Sequence, residues 1–313
     1  MIILIGSIDL SIGSVLALGA VVGALLQQRM GFMNSGVLGA LASAAGAFSV
    51  CVLIGSFTGF MVSRFKIPSF VVTLGLLVMA RGAALILTDG SRIGPLSDSY
   101  RWLGTGFLSK EYSLFLILFL AVSLVAHGVW KGGRGKWLRI LTIILISGLS
   151  LSVFYGYQGI PVPVLAMAAV FAMTYFLLEK TVFGRYIYAI GGNPEAARLC
   201  GIRVPTVVFS IYAIMGLLIG LSAMIESGRI DAGDPNAGNL YELDAIAAVV
   251  IGGTSLQGGV GRVTGTILGS ILIGTLNNGM SLMNIETNRQ MVIKGAIIIF
   301  AVWIDVVSKR KGR

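Results

Sequence analysis

Charge is what this chain has least of. Asp, Glu, Lys and Arg together make up 12% of its 313 residues, about half the share that a soluble domain spreads over its surface. A water-exposed globule of this size is therefore excluded. Histidine is reduced to one residue and cysteine to two. Cys51 lies in an apolar run and Cys200 in a polar interval, so the pair offers neither a disulfide framework nor metal-ligand spacing, and no metal or other cofactor is expected. No Ser-His-Asp set, paired carboxylates or His/Cys cluster falls within the apolar runs, which counts against an intramembrane enzyme. The N-terminus lacks a positive region ahead of its first apolar stretch, so no cleavable signal peptide is expected.

What the chain has is apolar length. Hydrophobic residues reach 56%, mean hydropathy is +0.92, and the apolar residues come in runs of about 17 to 25, the length that carries a helix across a bilayer. Ten spans are expected: Leu10–Leu26, Val37–Met61, Ser69–Leu87, Tyr112–Val129, Leu138–Tyr155, Pro161–Leu178, Thr206–Ile225, Asp244–Gly253, Val263–Leu282 and Met291–Val307. The fold class is thus all-α, a polytopic helical membrane protein in a lipid bilayer. The eighth span is short, either a thin crossing or a re-entrant segment, and the first is broken near the N-terminus. The 43 glycines suit helices that must approach closely where lipid supplies no hydrophobic drive.

The net charge of +10 marks topology. No basic stripe with interleaved aromatics accompanies it, so nucleic acid is not an expected partner. With ten crossings and a cytoplasmic N-terminus, 15 of the 23 Lys and Arg fall on the cytoplasmic side and 6 on the other, as the positive-inside rule requires. Both termini and the interval 179–205 are then cytoplasmic, and the acidic loop Arg229–Asp244 faces outward.

Three polar interruptions carry candidate function. The longest is Glu179–Pro205, EKTVFGRYIYAIGGNPEAARLCGIRVP. Asn193 is suited to cap a short helix, Pro194 to open it, Glu195 to favour its positive end and Gly201 to stop it. Lys180, Arg185, Arg198 and Arg203 add a basic face, while Ala196 and Ala197 leave room for another protein to come close. Gly6–Ser14, GSIDLSIGS, places Asp9 and Ser11 at a break in the first span. It either lines a pathway or caps the helix that follows. Asp244–Gly261, DAIAAVVIGGTSLQGGVG, ends in a glycine-rich turn. It lacks the following Lys-Ser/Thr of a phosphate-binding loop, so it reads as a hinge or close-packing turn.

These motifs, with Lys66–Leu74 and Lys294–Ile297, resemble the permease subunits of bacterial ABC importers for ribose, xylose and arabinose, and the resemblance runs through essentially the whole chain. It implies a single transmembrane permease domain over residues 1–313 that forms the translocation path. Arg185, Asn193, Glu195, Ala196, Ala197, Arg198 and Gly201 would belong to the cytoplasmic segment that docks into an ABC ATPase subunit. Other implied partners are an extracytoplasmic sugar-binding protein and a second copy of the chain, in the cytoplasmic (inner) membrane. No interval is long enough to be an ATPase, so hydrolysis belongs to a partner chain and this subunit is not an enzyme. The apolar pair at 112–155, joined by the basic turn WKGGRGKWLR, is similar to the xylose-type members, which points to D-xylose. Relative to the family the chain begins close to the I-D-L-S signature, about two spans late.

Further candidates are Asn277 and Asn278, with Asp9 and Ser11, for the translocation path. Asn277 and Asn278 suit either sugar hydroxyls or hydrogen bonds between helices. Asp231, Asp234, Asn236 and Glu242 of the outer loop are candidates for docking the binding protein. Arg81 is expected to reach outward and pair with Asp89, and His127 to sit at an interface. An alternative is a same-architecture permease for ribose, a hexose or another small polar solute. An ion-coupled secondary sugar carrier is a weaker one, because the carboxylates Asp9, Asp89, Asp244 and Asp305 fall near span ends rather than at the midplane. The stretches VTLGLLVMARGAALILTDGSRIG and IYAIMGLLIGLSAMIESGRIDAG hint at an internal duplication.

Overall fold

The computed structural model describes residues 1–131 and 136–311. The centre of the basic turn, residues 132–135, and the side chains of His127 and Asp305 lie outside the described residues. A short 3-10 turn at Ile3–Ile5 precedes α1 (Ile12–Gln28), and a second, Phe32–Ser35, precedes α2 (Gly36–Phe65). There follow α3 (Ser69–Thr88), α4 (Asp98–Thr105), α5 (Lys110–Lys131), α6 (Lys136–Gly156), α7 (Val162–Lys180), α8 (Val182–Gly192), α9 (Pro194–Leu199), α10 (Val204–Ile230), α11 (Tyr241–Ile251), α12 (Val263–Leu282) and α13 (Thr287–Lys311). Among the described residues the extended structure is limited to two isolated bridges. Each of the ten expected spans is helical. Phe32–Phe65, Ser69–Thr88, Val162–Lys180 and Val204–Ile230 are long and apolar enough to cross a membrane unaided.

Helix limits follow from local chemistry. Pro68 and Pro161 stand immediately before α3 and α7, where a fixed φ and a missing N–H cost nothing. Thr181 Oγ1 accepts from Gly184 N at 3.3 Å and opens α8. α3 and α10 both end on an aspartate in the left-handed region, Asp89 at φ 49° and Asp231 at φ 57°. The two stretches with a hint of duplication meet just beyond these ends, where Ile93 and Gly233 exchange backbone hydrogen bonds of 3.0 and 2.8 Å.

α1 is the central helix. It is apolar all round and buried along almost its whole length, as expected of a helix enclosed by others. α2, α3, α10 and α11 surround it. α2 and α10 cross closely because small residues face each other. A Cβ on Gly216 would lie 2.5 Å from Cys51 O, and one on Gly55 would lie 2.6 Å from Tyr212 O. α11, α12 and α13 form a second group around Ala247, Ala248 and Ile273, backed by Ile251, Ile297 and Ile298. α5 and α6 pack chiefly on each other and expose Phe115, Phe119, Leu145 and Leu149 outward.

The eighth span resolves into two parts. α11 has 11 residues, about 16 Å of helix, well short of a hydrocarbon core of about 30 Å. The missing length comes from the loop before it, which descends along α1. Gly233 abuts Ala20, Val21 and Ala24, while Gly238 abuts Gly13 about 12 Å lower on the same helix. Non-helical backbone at this depth is tolerated because it is enclosed by protein.

Candidate translocation and coupling sites

The interval 179–205 folds as α8 and α9 joined at Asn193. The Asn193 side-chain oxygen accepts from Glu195 N and Ala196 N, both at 3.0 Å, so the cap satisfies two donors at once. Gly201 closes α9 at φ 84°. Glu195 and Arg198 pair at 2.7 Å on the exposed face, and Arg185 is exposed on α8. Ala197 points the other way. It is 4% exposed and belongs to the core of Ile187 and Ile190, so it seats α9 on the bundle while Ala196 remains free. The sequence reading overlooked Leu199, which is 80% exposed beside Arg198; an aliphatic residue left open at the end of a polar helix was its signal.

Asp9 is 7% exposed, and its Oδ1 accepts from Ser11 N at 2.8 Å and from Ser11 Oγ at 2.7 Å. The carboxylate thus holds a local turn, and α1 starts at Ile12 without a side-chain cap. The Tyr212 hydroxyl, wholly buried, lies near Ser7, Ser69 and Asp9. Arg81 does not pair with Asp89. Its Nη1 donates to Pro235 O and to Ala237 O, the latter at 2.9 Å, with Glu242 and Asp234 as the nearby charges. Arg81 therefore pins the descending loop to α3. A short polar side chain cannot cap carbonyls across helices; the guanidinium has the reach and the donors.

The acids of the outer loop are turned inward. Asp231 Oδ1 accepts from Leu96 N at 2.9 Å, and Asp234 pairs with Arg92 at 2.7 Å. Glu242 is buried, with Oε2 against Gly13. Of the four candidates only Asn236 is exposed. Asp231, Asp234 and Glu242 hold the loop's shape.

Three of the four candidate path residues line two cavities that border different faces of α11, while Ser11 is buried against Asp9. Asp9 borders an apolar cavity of about 210 Å³ walled by Leu4, Leu178, Met215, Ile246 and Val249, with Arg262 at its edge. Asn277 and Asn278 line an open polar cleft of about 570 Å³ with Arg229, Tyr241, Asp244 and Ser281. Ala245 borders both. Ser270, Gly274, Asn277, Asn278 and Ser281 share one face of α12, because their spacing follows the helical repeat. Asp244 Oδ2 accepts from Asn277 Nδ2 at 3.1 Å and from Lys294 Nζ at 2.9 Å, which ties α11, α12 and α13 together. Asn277 is thus committed to a helix–helix contact, and Asn278 faces the cleft.

An all-helical membrane chain with a polar cleft at span depth and a capped, exposed helix between spans has the build of a transport permease. Residues 1–302 match the family described as branched-chain amino acid transport system / permease component, and the chain belongs to that family. It is 36% identical over 330 aligned residues to the xylose transport system permease protein XylH of Escherichia coli K12, covering 99% of this chain and 80% of that protein. It is also 36% identical to the ribose import permease protein RbsC of the same strain (97% and 79% covered) and 38% identical to that of Bacillus subtilis 168 (97% and 78%). No solved structure matches it. The chain is accordingly a multi-pass permease of the sugar ABC type.

Proposed function

We propose that this chain is the membrane subunit of an ATP-driven, binding-protein-dependent importer for D-xylose. It works as a homodimer in the bacterial cytoplasmic membrane with its termini inside. The observation that carries the reading is the polar cleft on α12. Amides, hydroxyls and an ion pair facing lipid would be costly, so this face suits a second copy of the chain across a hydrated path. Side-chain amides and a carboxylate are also the groups that bind vicinal hydroxyls. The α5–α6 pair supports xylose, and ribose is the competing substrate because the ribose permeases are equally similar. ATP hydrolysis lies on the partner ATPase, docked on Glu195, Ala196, Arg198 and Leu199; the binding protein docks at the opposite end, near Asn236. Binding of ATP moves α8 and α9, and the spans switch between outward and inward access.

The test is to co-express the chain with a candidate ATPase and binding protein, then measure copurification and uptake of radiolabelled D-xylose against unlabelled D-ribose. The expected result is that the wild type retains the ATPase, Glu195→Lys releases it, and ribose competes weakly. An ATPase that never binds the wild type overturns the importer reading, and strong competition by ribose overturns only the choice of sugar.

A further inference from the structure

Besides its apolar face, α8 meets backbone of the Ile3–Ile5 turn and of the loop 252–262. The Tyr188 hydroxyl donates to Gly261 O at 3.0 Å. A Cβ on Gly191 would fall 1.8 Å from Leu4 O and 2.5 Å from Gly259 N, and Gly259 N itself donates to Leu4 O at 2.8 Å. Nothing compressible separates α8, the Ile3–Ile5 turn and the loop 252–262, so a displacement of one is passed to the others. Positive φ at Gly258 (88°) and Gly259 (73°) keeps the loop in a shape other residues would strain.

The ends of that loop are the two helices that border the cavities. Gly252 terminates α11, and Arg262 precedes α12. α11 is the wall between the apolar cavity and the polar cleft. α10, which follows α9 along the chain, is locked to α2 by the close glycine crossing and is poorly placed to move. Resting on the importer reading above, we propose that the loop 252–262 is the relay that turns displacement of α8 into movement of α11, with Tyr188 as its positioning residue. Burial pushes the Tyr188 phenol above its ordinary value, with Glu179 adding to the effect, so it stays protonated and remains a donor throughout the working pH range.

The experiment uses the full importer complex in proteoliposomes and compares wild type, Tyr188→Phe, Tyr188→Ala and Gly191→Ala. The readouts are ATPase copurification, basal hydrolysis, melting temperature and sugar moved per ATP, with whichever of D-xylose or D-ribose the wild type takes up. Tyr188→Phe keeps the ring and loses one hydrogen bond. It should leave ATPase copurification and basal hydrolysis unchanged, shift the melting temperature by no more than a few degrees, and lower sugar per ATP about threefold to tenfold, the factor that one neutral bond commands. Tyr188→Ala and Gly191→Ala should lower it further. Wild-type coupling in Tyr188→Phe and Tyr188→Ala overturns the relay while leaving the importer intact. A wild type that binds no ATPase overturns both readings.

Discussion

At the residue scale, the buried charges decide how the outer loop is held. Arg81 donates to two loop carbonyls and lies near Glu242, so removing it leaves acceptors unpaired and a buried carboxylate without its cation. Arg81→Met should destabilise the protein in detergent by about 2 kcal/mol, the scale of losing hydrogen bonds from a charged donor, read as a lower melting temperature. Arg81→Met combined with Glu242→Gln should recover part of that loss; a double variant no more stable than the single one would show that the charges do not interact. Asn193 offers a milder case. Asn193→Ala frees two backbone donors and should cost about 1 kcal/mol of local stability, visible as faster amide exchange over α9, whereas Asn193→Asp should restore protection. The cap was legible in the sequence because capping is local. The partner of Arg81 was not, because the residues that meet it lie more than 150 positions away and only the descent of the loop brings them together.

At the element scale, hydropathy marked the helices well and their packing poorly. Ten apolar runs became ten helices because each run exceeded what a turn can hold. The eighth remained ambiguous because half of its length is a run of turns packed along α1, and irregular backbone leaves no periodic signal. Ala197 shows the same limit. Small residues on α9 suggested an open face, yet which alanine faces out depends on what Ile187 and Ile190 bury. Helix crossings also need coordinates, and they give a sharp contrast among glycines. A Cβ on Gly216 meets Cys51 O at 2.5 Å, while a Cβ on Gly274 meets nothing within 4 Å. Gly216→Val should drive α2 and α10 apart and lower the melting temperature, with a cost of about 1–3 kcal/mol from overpacking. Gly274→Ala should leave the melting temperature unchanged, since it adds a methyl into the open cleft. Equal effects from the two would mean that the α2–α10 crossing is not the tight contact described here.

At the scale of the whole molecule, the question is which end of the bundle faces the cytoplasm. Basic residues favour the side that holds α8, α9 and the loop 252–262, and the rule works because positively charged loops are retained inside during insertion. The bundle offers a reporter at each end. Cys200 is exposed just beyond α9, and Cys51 is buried between helices, so a membrane-impermeant thiol reagent has one native target. Asn236, an exposed residue of the outer loop, becomes a second target as Asn236→Cys in a Cys200→Ser background. In intact spheroplasts expressing the chain without its ATPase, Cys200 should react only after permeabilisation, whereas Asn236→Cys should react at once. The opposite pattern would invert the molecule. The proposed ATPase-docking face would then lie outside, where no ATP is available, and the importer reading would fail. Lys180, Arg185, Arg198 and Arg203 flank or belong to α8 and α9 and count in the charge asymmetry, so the orientation of the proposed docking face rests on that asymmetry. The labelling puts both at risk at once.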